Sequence, residues 1–233
     1  MRHLLLVSTS TVHGTGYLDH CADEMKALCG ADTQRVLFVP YALFDRDGYA
    51  AKARERFGAM GLGLDSLHEA PDPVAAVRAA QALFVGGGNT FRLVRDLHAH
   101  GLVEPIRERV AAGMPYMGTS AGSNVACPTL KTTNDMPIVE PPSFETLNLV
   151  PFQINPHFLD ADPSSTHMGE TRETRLAEFH EENETVVIGL REGAMLRVDG
   201  DTMELRGLRG GRLFQRGSPA VDLAVGADLS ALL

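Results

Sequence analysis

A serine stands between two glycines at residues 118–122, which read Gly-Thr-Ser-Ala-Gly. This order fits G-x-S-x-G, the pattern of a nucleophile elbow, in which a serine hydroxyl stands clear of a sheet on a strained turn. The glycines remove Cβ atoms that would clash in such a turn, and a following helix directs free N–H groups at developing negative charge. Ser120 is therefore a candidate nucleophile. The alternative is a glycine-rich turn that contains an incidental serine.

A second glycine-rich segment, residues 86–90, reads Gly-Gly-Gly-Asn-Thr and follows another predicted strand. A dinucleotide fingerprint would need glycine at position 91, where the chain has Phe91, and the Gly-Lys-Ser/Thr of a phosphate loop is missing. Glycines here would let a backbone N–H reach the serine from a neighbouring strand, with the N–H of Ala121 as the second donor of an oxyanion hole. A purely structural tight turn remains the alternative.

A nucleophilic serine needs a base and an acid that fixes the tautomer of that base. The chain has nine histidines, and His157 follows a predicted apolar strand and a proline, which would place it at a strand end. It is the candidate base. Candidate acids lie beside apolar runs or close to this histidine, and the sequence does not choose among Asp135, Glu192, Asp160 and Asp162.

Composition restricts the partners and the location. The formal net charge is -9 and there is no basic cluster, which argues against nucleic acid and anionic membranes as partners. Three cysteines without paired spacing, and no His-Glu-x-x-His or Cys-x-x-Cys pattern, predict no disulfide framework, no metal and no cofactor. The apolar run near the N-terminus is too short for a signal peptide or a membrane span, so we expect a cytoplasmic protein.

Apolar runs alternate with helical patterns through the first half of the chain. This alternation predicts an α/β fold with a mostly parallel sheet, helices on both faces and one domain over residues 1–233. Asp199-Gly200 predicts a β-hairpin near the C-terminus, and the loops at the carboxyl ends of the strands are the expected site. Helices are predicted at 17–28 and 49–58, after the cap Asp72, and from about Phe91. The predicted strands are 3–8, 35–40, 61–68, 82–85, 115–118, 149–155, 185–190 and 194–207.

Six ordered segments together resemble the peptidase E, or α-aspartyl dipeptidase, family. They are FVGGGNTFRLV, GTSAGSNVACPT, TTNDMPIVEP, FQINPHF, GETRETR and VIGLREG. The resemblance implies a fold like that of class I glutamine amidotransferases, with serine in place of their cysteine nucleophile. It implies hydrolysis of small dipeptides with an N-terminal aspartate, without a cofactor, by a monomer or homodimer.

The resemblance also implies a role for individual residues. Ser120 would be the nucleophile, His157 the base, and Gly88 and Ala121 the oxyanion donors. For the acid it favours Asp135, with Glu192 as a competing assignment.

The same resemblance implies that Arg172 receives the aspartate side chain of the substrate, because arginine offers a planar bidentate partner for a carboxylate. Three further polar residues in matching segments would line the pocket: Asn89, Thr133 and Asn134.

Two other functions share the same motifs. A cyanophycinase-like hydrolase would use the same serine elbow but cleave β-aspartyl links. A non-catalytic module on the same scaffold would bind a small molecule and stay inert towards a serine-directed phosphonate.

Overall fold

The computed structural model describes residues 1–162, 164, 166 and 168–233. The strands are β1 (His3–Val7), β2 (Arg35–Val39), β3 (Gly63–Ser66), β4 (Leu83–Val85), β5 (Tyr116–Thr119), β6 (Gln153–Phe158), β7 (Val187–Arg191), β8 (Ala194–Asp199), β9 (Thr202–Gly207), β10 (Gly211–Phe214) and β11 (Val221–Leu223). The α-helices are α1 (Ala22–Cys29), α2 (Arg46–Ala59), α3 (Pro73–Ala79), α4 (Thr90–Ala99), α5 (Val103–Ala111), α6 (Ala121–Asn124) and α7 (Arg172–Glu182).

The larger sheet has seven strands in the order β3-β2-β4-β5-β1-β8-β9. Its first five strands run parallel, while β8 runs antiparallel to β1 and to β9. The prediction of a mostly parallel α/β sheet with a late hairpin is confirmed. Gly200 has a φ of 64° in the β8–β9 turn, a conformation that suits glycine.

Both faces of this sheet are covered by helices, which explains the continuous apolar run of β1. Leu4 and Leu6 belong to the core under α3, α4 and α5, whereas Leu5 and Val7 belong to the core under α1 and α2. Successive side chains of a strand point to opposite faces, so a strand buried on both sides is apolar throughout. In the described part of the chain, no helix combines the length and the apolarity needed to cross a bilayer.

A second sheet of four strands, in the order β11-β10-β7-β6, was not predicted from the sequence. Ile154, Ile188 and Leu190 face the main core, and α7 packs on the other side through Leu176. The strand predicted at 149–155 begins later, at Gln153. The strand starts late because the segment before Gln153 folds back onto the residues that follow α6. The N–H of Leu149 donates to a backbone carbonyl of those residues.

Candidate active site

Ser120 lies at a sharp turn between β5 and α6, as the elbow pattern predicts. Its backbone has φ 52° and ψ -111°, a region that side-chain-bearing residues rarely occupy. The turn is fixed from β1, because the Ser120 N–H donates to the Val7 carbonyl at 3.0 Å. A Cβ at Gly122 would lie 2.1 Å from the Val85 carbonyl oxygen, so only glycine lets the helix approach β4 this closely.

This backbone strain predicts a stability effect. A residue with a Cβ in such a region costs on the order of 1–3 kcal/mol, and glycine relieves much of that cost. The free energy of unfolding of Ser120→Gly is therefore expected to be about 1 kcal/mol higher than that of Ser120→Ala. The alanine variant also lacks the hydroxyl, but it keeps the Cβ. Urea denaturation of the two variants measures the difference. A less stable glycine variant would contradict strain at this turn.

His157 lies within β6, where the strand carries an irregularity. Its φ is 52°, and the pairing of β6 with β7 shifts between Asn155 and Phe158. The His157 N–H donates to Ser8 Oγ at 2.9 Å, and that hydroxyl donates to the Leu190 carbonyl at 2.7 Å. The buried Ser8, just beyond the end of β1, thus holds the histidine backbone against both sheets. Ser8 was not among the predicted site residues, although a hydroxyl that ends the apolar run LLLVS is a usable signal.

The imidazole of His157 connects a hydroxyl to a carboxylate. Nε2 lies 3.0 Å from Ser120 Oγ, and Nδ1 lies 2.8 Å from Glu192 Oε1. Glu192 sits in the short turn between β7 and β8, which joins the two sheets. Because a carboxylate accepts a hydrogen bond from Nδ1–H, the neutral ring keeps its lone pair on Nε2, where it can take the serine proton.

In the structure Glu192, and not Asp135, lies against His157, although the resemblance favoured Asp135 as the acid. Asp135 Oδ2 instead accepts from the Thr90 N–H and Thr90 Oγ1, both at 2.7 Å, and from Thr133 Oγ1 at 3.1 Å. Thr90 is the first residue of α4, so the carboxylate sits at the positive end of that helix. These contacts direct the Asp135 side chain to α4 and not to the imidazole.

The other two candidate acids also have different partners. Asp160 pairs with Arg191, whose guanidinium holds the pKa of that carboxyl below its usual range. Asp162 accepts from the N–H and hydroxyl of Ser164. Of the four carboxylates left open by the sequence, Glu192 has the hydrogen bond to the imidazole.

The two segments that carry the predicted oxyanion donors, the glycine loop after β4 and the start of α6, lie next to the serine. A Cβ at Gly87 would lie 3.0 Å from the Ser120 Cβ, so the glycine loop after β4 packs directly against the elbow. Gly88 has a φ of 136°, and a Cβ there would lie 2.6 Å from the Ala42 carbonyl oxygen. Ala121 is the first residue of α6, where an N–H has no acceptor within its own helix.

Arg172 is the first residue of α7 and is partly buried. Burial lowers the pKa of Arg172, as does the positive charge of Arg175, while the negative charge of Asp135 acts in the opposite direction. No ion pair joins Arg172 to a carboxylate among the residues that the structure describes. Arg172 is not among the residues that line the cleft past Ser120, and its connection to the site is the charge of Asp135, which does line that cleft.

Three other predicted pocket residues are engaged in internal hydrogen bonds. Asn89 caps α4 through the Arg92 N–H and donates to the Met136 carbonyl at 2.9 Å. The Thr133 hydroxyl donates to Asp135 and lies 3.0 Å from Thr90 Oγ1, whose own proton also goes to Asp135. Asn134 donates to the Pro156 carbonyl at 2.6 Å and accepts from Asn155. These contacts tie the loop that carries Asp135 to α4 and β6.

An open cleft of about 580 Å³ runs past the serine, a volume that suits a small molecule. It is lined by Ser120, His157, Gly88 and Asp135, and on the α2 side by Tyr17, Tyr49 and Lys52.

One group of potential metal ligands comes together in the described part of the chain. It consists of Asp47, His68 and Glu69. These residues do not belong to the lining of the cleft, and Arg54 already pairs with Glu69. None of these three residues forms a hydrogen bond with the serine, the imidazole or the carboxylate bonded to it.

A strand–helix elbow on an α/β sheet, with serine, imidazole and carboxylate in series, defines a hydrolase of the serine type. The chain belongs to peptidase family S51, whose model matches residues 4–206. It is 57% identical over 231 residues to Peptidase E of Streptomyces coelicolor, covering 99% of this chain and 95% of that protein. It is 50% identical over 234 residues to the probable alpha-aspartyl dipeptidase of Drosophila melanogaster, covering 100% of this chain and 98% of that protein.

A solved structure supports the fold. A peptidase from an acI-B1 Actinobacterium superposes with a TM-score of 0.73 at 20% identity, covering 98% of this chain and 96% of that one. At this identity the likeness concerns the fold alone. The resemblance read from the sequence segments is confirmed by the family match.

Proposed function

We propose that this chain is a serine dipeptidase that hydrolyses dipeptides with an N-terminal aspartate. The observation that carries the proposal is the series Ser120–His157–Glu192, with hydrogen-bond distances of 3.0 and 2.8 Å, at an elbow between β5 and α6. Membership of family S51 and close relatives named Peptidase E and probable alpha-aspartyl dipeptidase support the same activity.

The first half of the reaction forms an acyl-enzyme. Ser120 Oγ attacks the carbonyl carbon of the aspartyl residue while His157 Nε2 takes its proton. The oxyanion of the tetrahedral intermediate accepts hydrogen bonds from the N–H groups of Gly88 and Ala121. Glu192 stabilises the imidazolium that forms in this step.

The second half releases both products. As the C–N bond breaks, His157 gives its proton to the leaving amine, and the second residue of the dipeptide departs. Water then loses a proton to the same nitrogen and attacks the acyl carbon. Collapse of this second intermediate returns the proton to Ser120 and releases aspartate.

We assign the selectivity for aspartate to two charged groups that act on each other, Asp135 in the cleft and Arg172 at the start of α7. Arg172 supplies a partly desolvated guanidinium, which a β-carboxylate can engage in two parallel hydrogen bonds. Asp135 lines the cleft and accepts three hydrogen bonds at Oδ2. Its carboxylate can therefore receive the α-ammonium group of the substrate while keeping its anchor on α4.

A panel of dipeptides that differ at the first residue tests this proposal. Asp-Leu is expected to be cleaved at least 100-fold more efficiently in kcat/KM than Asn-Leu or Ala-Leu, because a neutral side chain leaves the arginine uncompensated. Glu-Leu is expected to fail as well, since one extra methylene displaces the scissile carbonyl, and about 1 Å can cost 10²-fold. Preference for a β-linked Asp-Leu would indicate the cyanophycinase-like activity instead.

Arg172→Met is expected to lower kcat/KM for Asp-Leu by at least 100-fold while Ser120 still reacts with a small phosphonate. The matched control is Arg175→Met, one turn later on α7, where the side chain is half exposed and pairs with Glu170. The control is expected to change kcat/KM less than threefold. Near-wild-type cleavage of Asp-Leu by the Arg172 variant would show that aspartate is recognised elsewhere.

A further inference from the structure

Lys52 lines the cleft on the side opposite Asp135. It lies on α2, the helix that packs on one face of the large sheet, whereas Asp135 is anchored to α4 on the other face. Ser120 stands between them at the end of β5. A substrate held at Asp135 and Arg172 by its acyl residue must therefore extend its leaving residue towards α2.

The Lys52 ammonium is held in place but is not neutralised. Its Nζ lies 4.5 Å from the centre of the Tyr17 ring, a cation–π contact at the wall of the cleft. Within the described residues, Lys52 forms no ion pair. Asp45 also lines the cleft, but its carboxylate accepts the Gly48 N–H at 2.9 Å and caps α2.

The charges of Asp135 and Lys52 in the cleft, together with that of Arg172 beside Asp135, match those of a free dipeptide. An N-terminal aspartyl residue brings an ammonium and a β-carboxylate, which meet Asp135 and Arg172. The leaving residue of a dipeptide brings one further charge, its C-terminal carboxylate. The positive group on the α2 side is Lys52, and an ammonium accepts a carboxylate as a point charge without demanding a fixed geometry.

We propose that Lys52, steadied by the Tyr17 ring, binds the terminal carboxylate of the leaving residue and so selects dipeptides over substrates without a charge there. This inference rests on the proposed function. It assigns Lys52 a part in substrate selection and none in the chemistry at Ser120.

Two substrates test whether Lys52 binds the terminal carboxylate. Asp-Leu has a free C-terminal carboxylate, whereas Asp-Leu amide is neutral at that end. The wild-type protein is expected to prefer Asp-Leu about fivefold in kcat/KM, the size of an ion pair open to solvent. Lys52→Met is expected to remove this preference by raising KM for Asp-Leu about fivefold. Its kcat, and its kcat/KM on the amide, are expected to stay within twofold of wild type.

Ionic strength gives an independent readout, because salt screens an exposed ion pair. The wild-type preference for Asp-Leu is expected to shrink as salt rises, whereas Lys52→Met shows no such dependence. Lys26→Met, which removes an exposed lysine from α1, is the matched control and is expected to behave as wild type.

The outcomes distinguish a failure of the role of Lys52 from a failure of the proposed function. Equal loss on both substrates in Lys52→Met, or the same loss in Lys26→Met, would overturn the role of Lys52. Equal cleavage of Asp-Leu and its amide by the wild-type protein would overturn it alone, with the aspartyl peptidase activity intact. Cleavage of neither would contradict the proposed function and this inference together.

Discussion

Ser120→Ala is expected to fold like the parent chain and to lose about 10⁶ in kcat on Asp-Leu, the typical loss for a catalytic nucleophile. The turn itself depends on backbone contacts, including the bond from the Ser120 N–H to Val7, so alanine keeps the elbow. The hydroxyl that it removes is the group to which His157 Nε2 is bonded. Initial rates on Asp-Leu and circular dichroism of the variant measure the two effects.

Ser123→Ala is the matched control for this variant. The Ser123 hydroxyl is buried three residues further along, and its one proton is shared between the carbonyls of Val7 and Gly118, at Oγ–O distances of 2.7 and 2.9 Å. Its loss is expected to cost about 1–2 kcal/mol of stability while leaving kcat within tenfold of wild type. A Ser120→Ala variant that kept a tenth of the wild-type rate would rule out Ser120 as the nucleophile.

Much of the large sheet could be predicted from the sequence because its signals are local. Strands β1, β2, β4 and β5 are short apolar runs between helical patterns, and each lies where the pattern indicates. The start of α3 follows from Asp72, whose side chain accepts the Ala75 N–H at 2.9 Å. The elbow is local too, because its glycines, its strand and its helix are contiguous.

The second sheet could not be predicted because its pairing joins distant segments. Between the end of β6 at Phe158 and the start of β7 at Val187 lie 28 residues, 159–186, and the α7 pattern among them does not indicate which sheet the two strands join. The irregularity of β6 at His157 lies where the pairing of β6 with β7 shifts. The register between two paired strands cannot be predicted from the types of residues along the chain.

The choice between two acids illustrates the same limit. Asp135 and Glu192 both lie in loops beside apolar runs, and both segments resemble the family. The two carboxylates differ in where their loops lie in the folded chain. The loop of Asp135 folds onto the N-terminus of α4, whereas Glu192 lies in the turn between the two sheets. The resemblance therefore favoured a carboxylate that lies in the cleft but does not contact the imidazole.

Glu192→Gln is expected to lower kcat on Asp-Leu by about 10³. Glutamine removes the negative charge that stabilises the imidazolium, and its NH₂ group can donate to Nδ1 and trap the wrong tautomer. The comparable change of a fully buried triad acid costs about 10⁴. Glu192 is 51% exposed, so water replaces part of the lost interaction and we expect a smaller effect.

Asp135→Asn is the comparison that distinguishes the two carboxylates. It removes a charge from the start of α4 and from the neighbourhood of Arg172, so we expect a KM for Asp-Leu at least tenfold higher and a kcat within tenfold. The rate of inactivation by a small phosphonate reports on Ser120 and His157 without the aspartate pocket. It is expected to fall sharply in Glu192→Gln and to stay near wild type in Asp135→Asn. If the Asp135 variant lost phosphonate reactivity while the Glu192 variant kept it, Asp135 would be the acid that serves His157 during catalysis, against the hydrogen bonds described above.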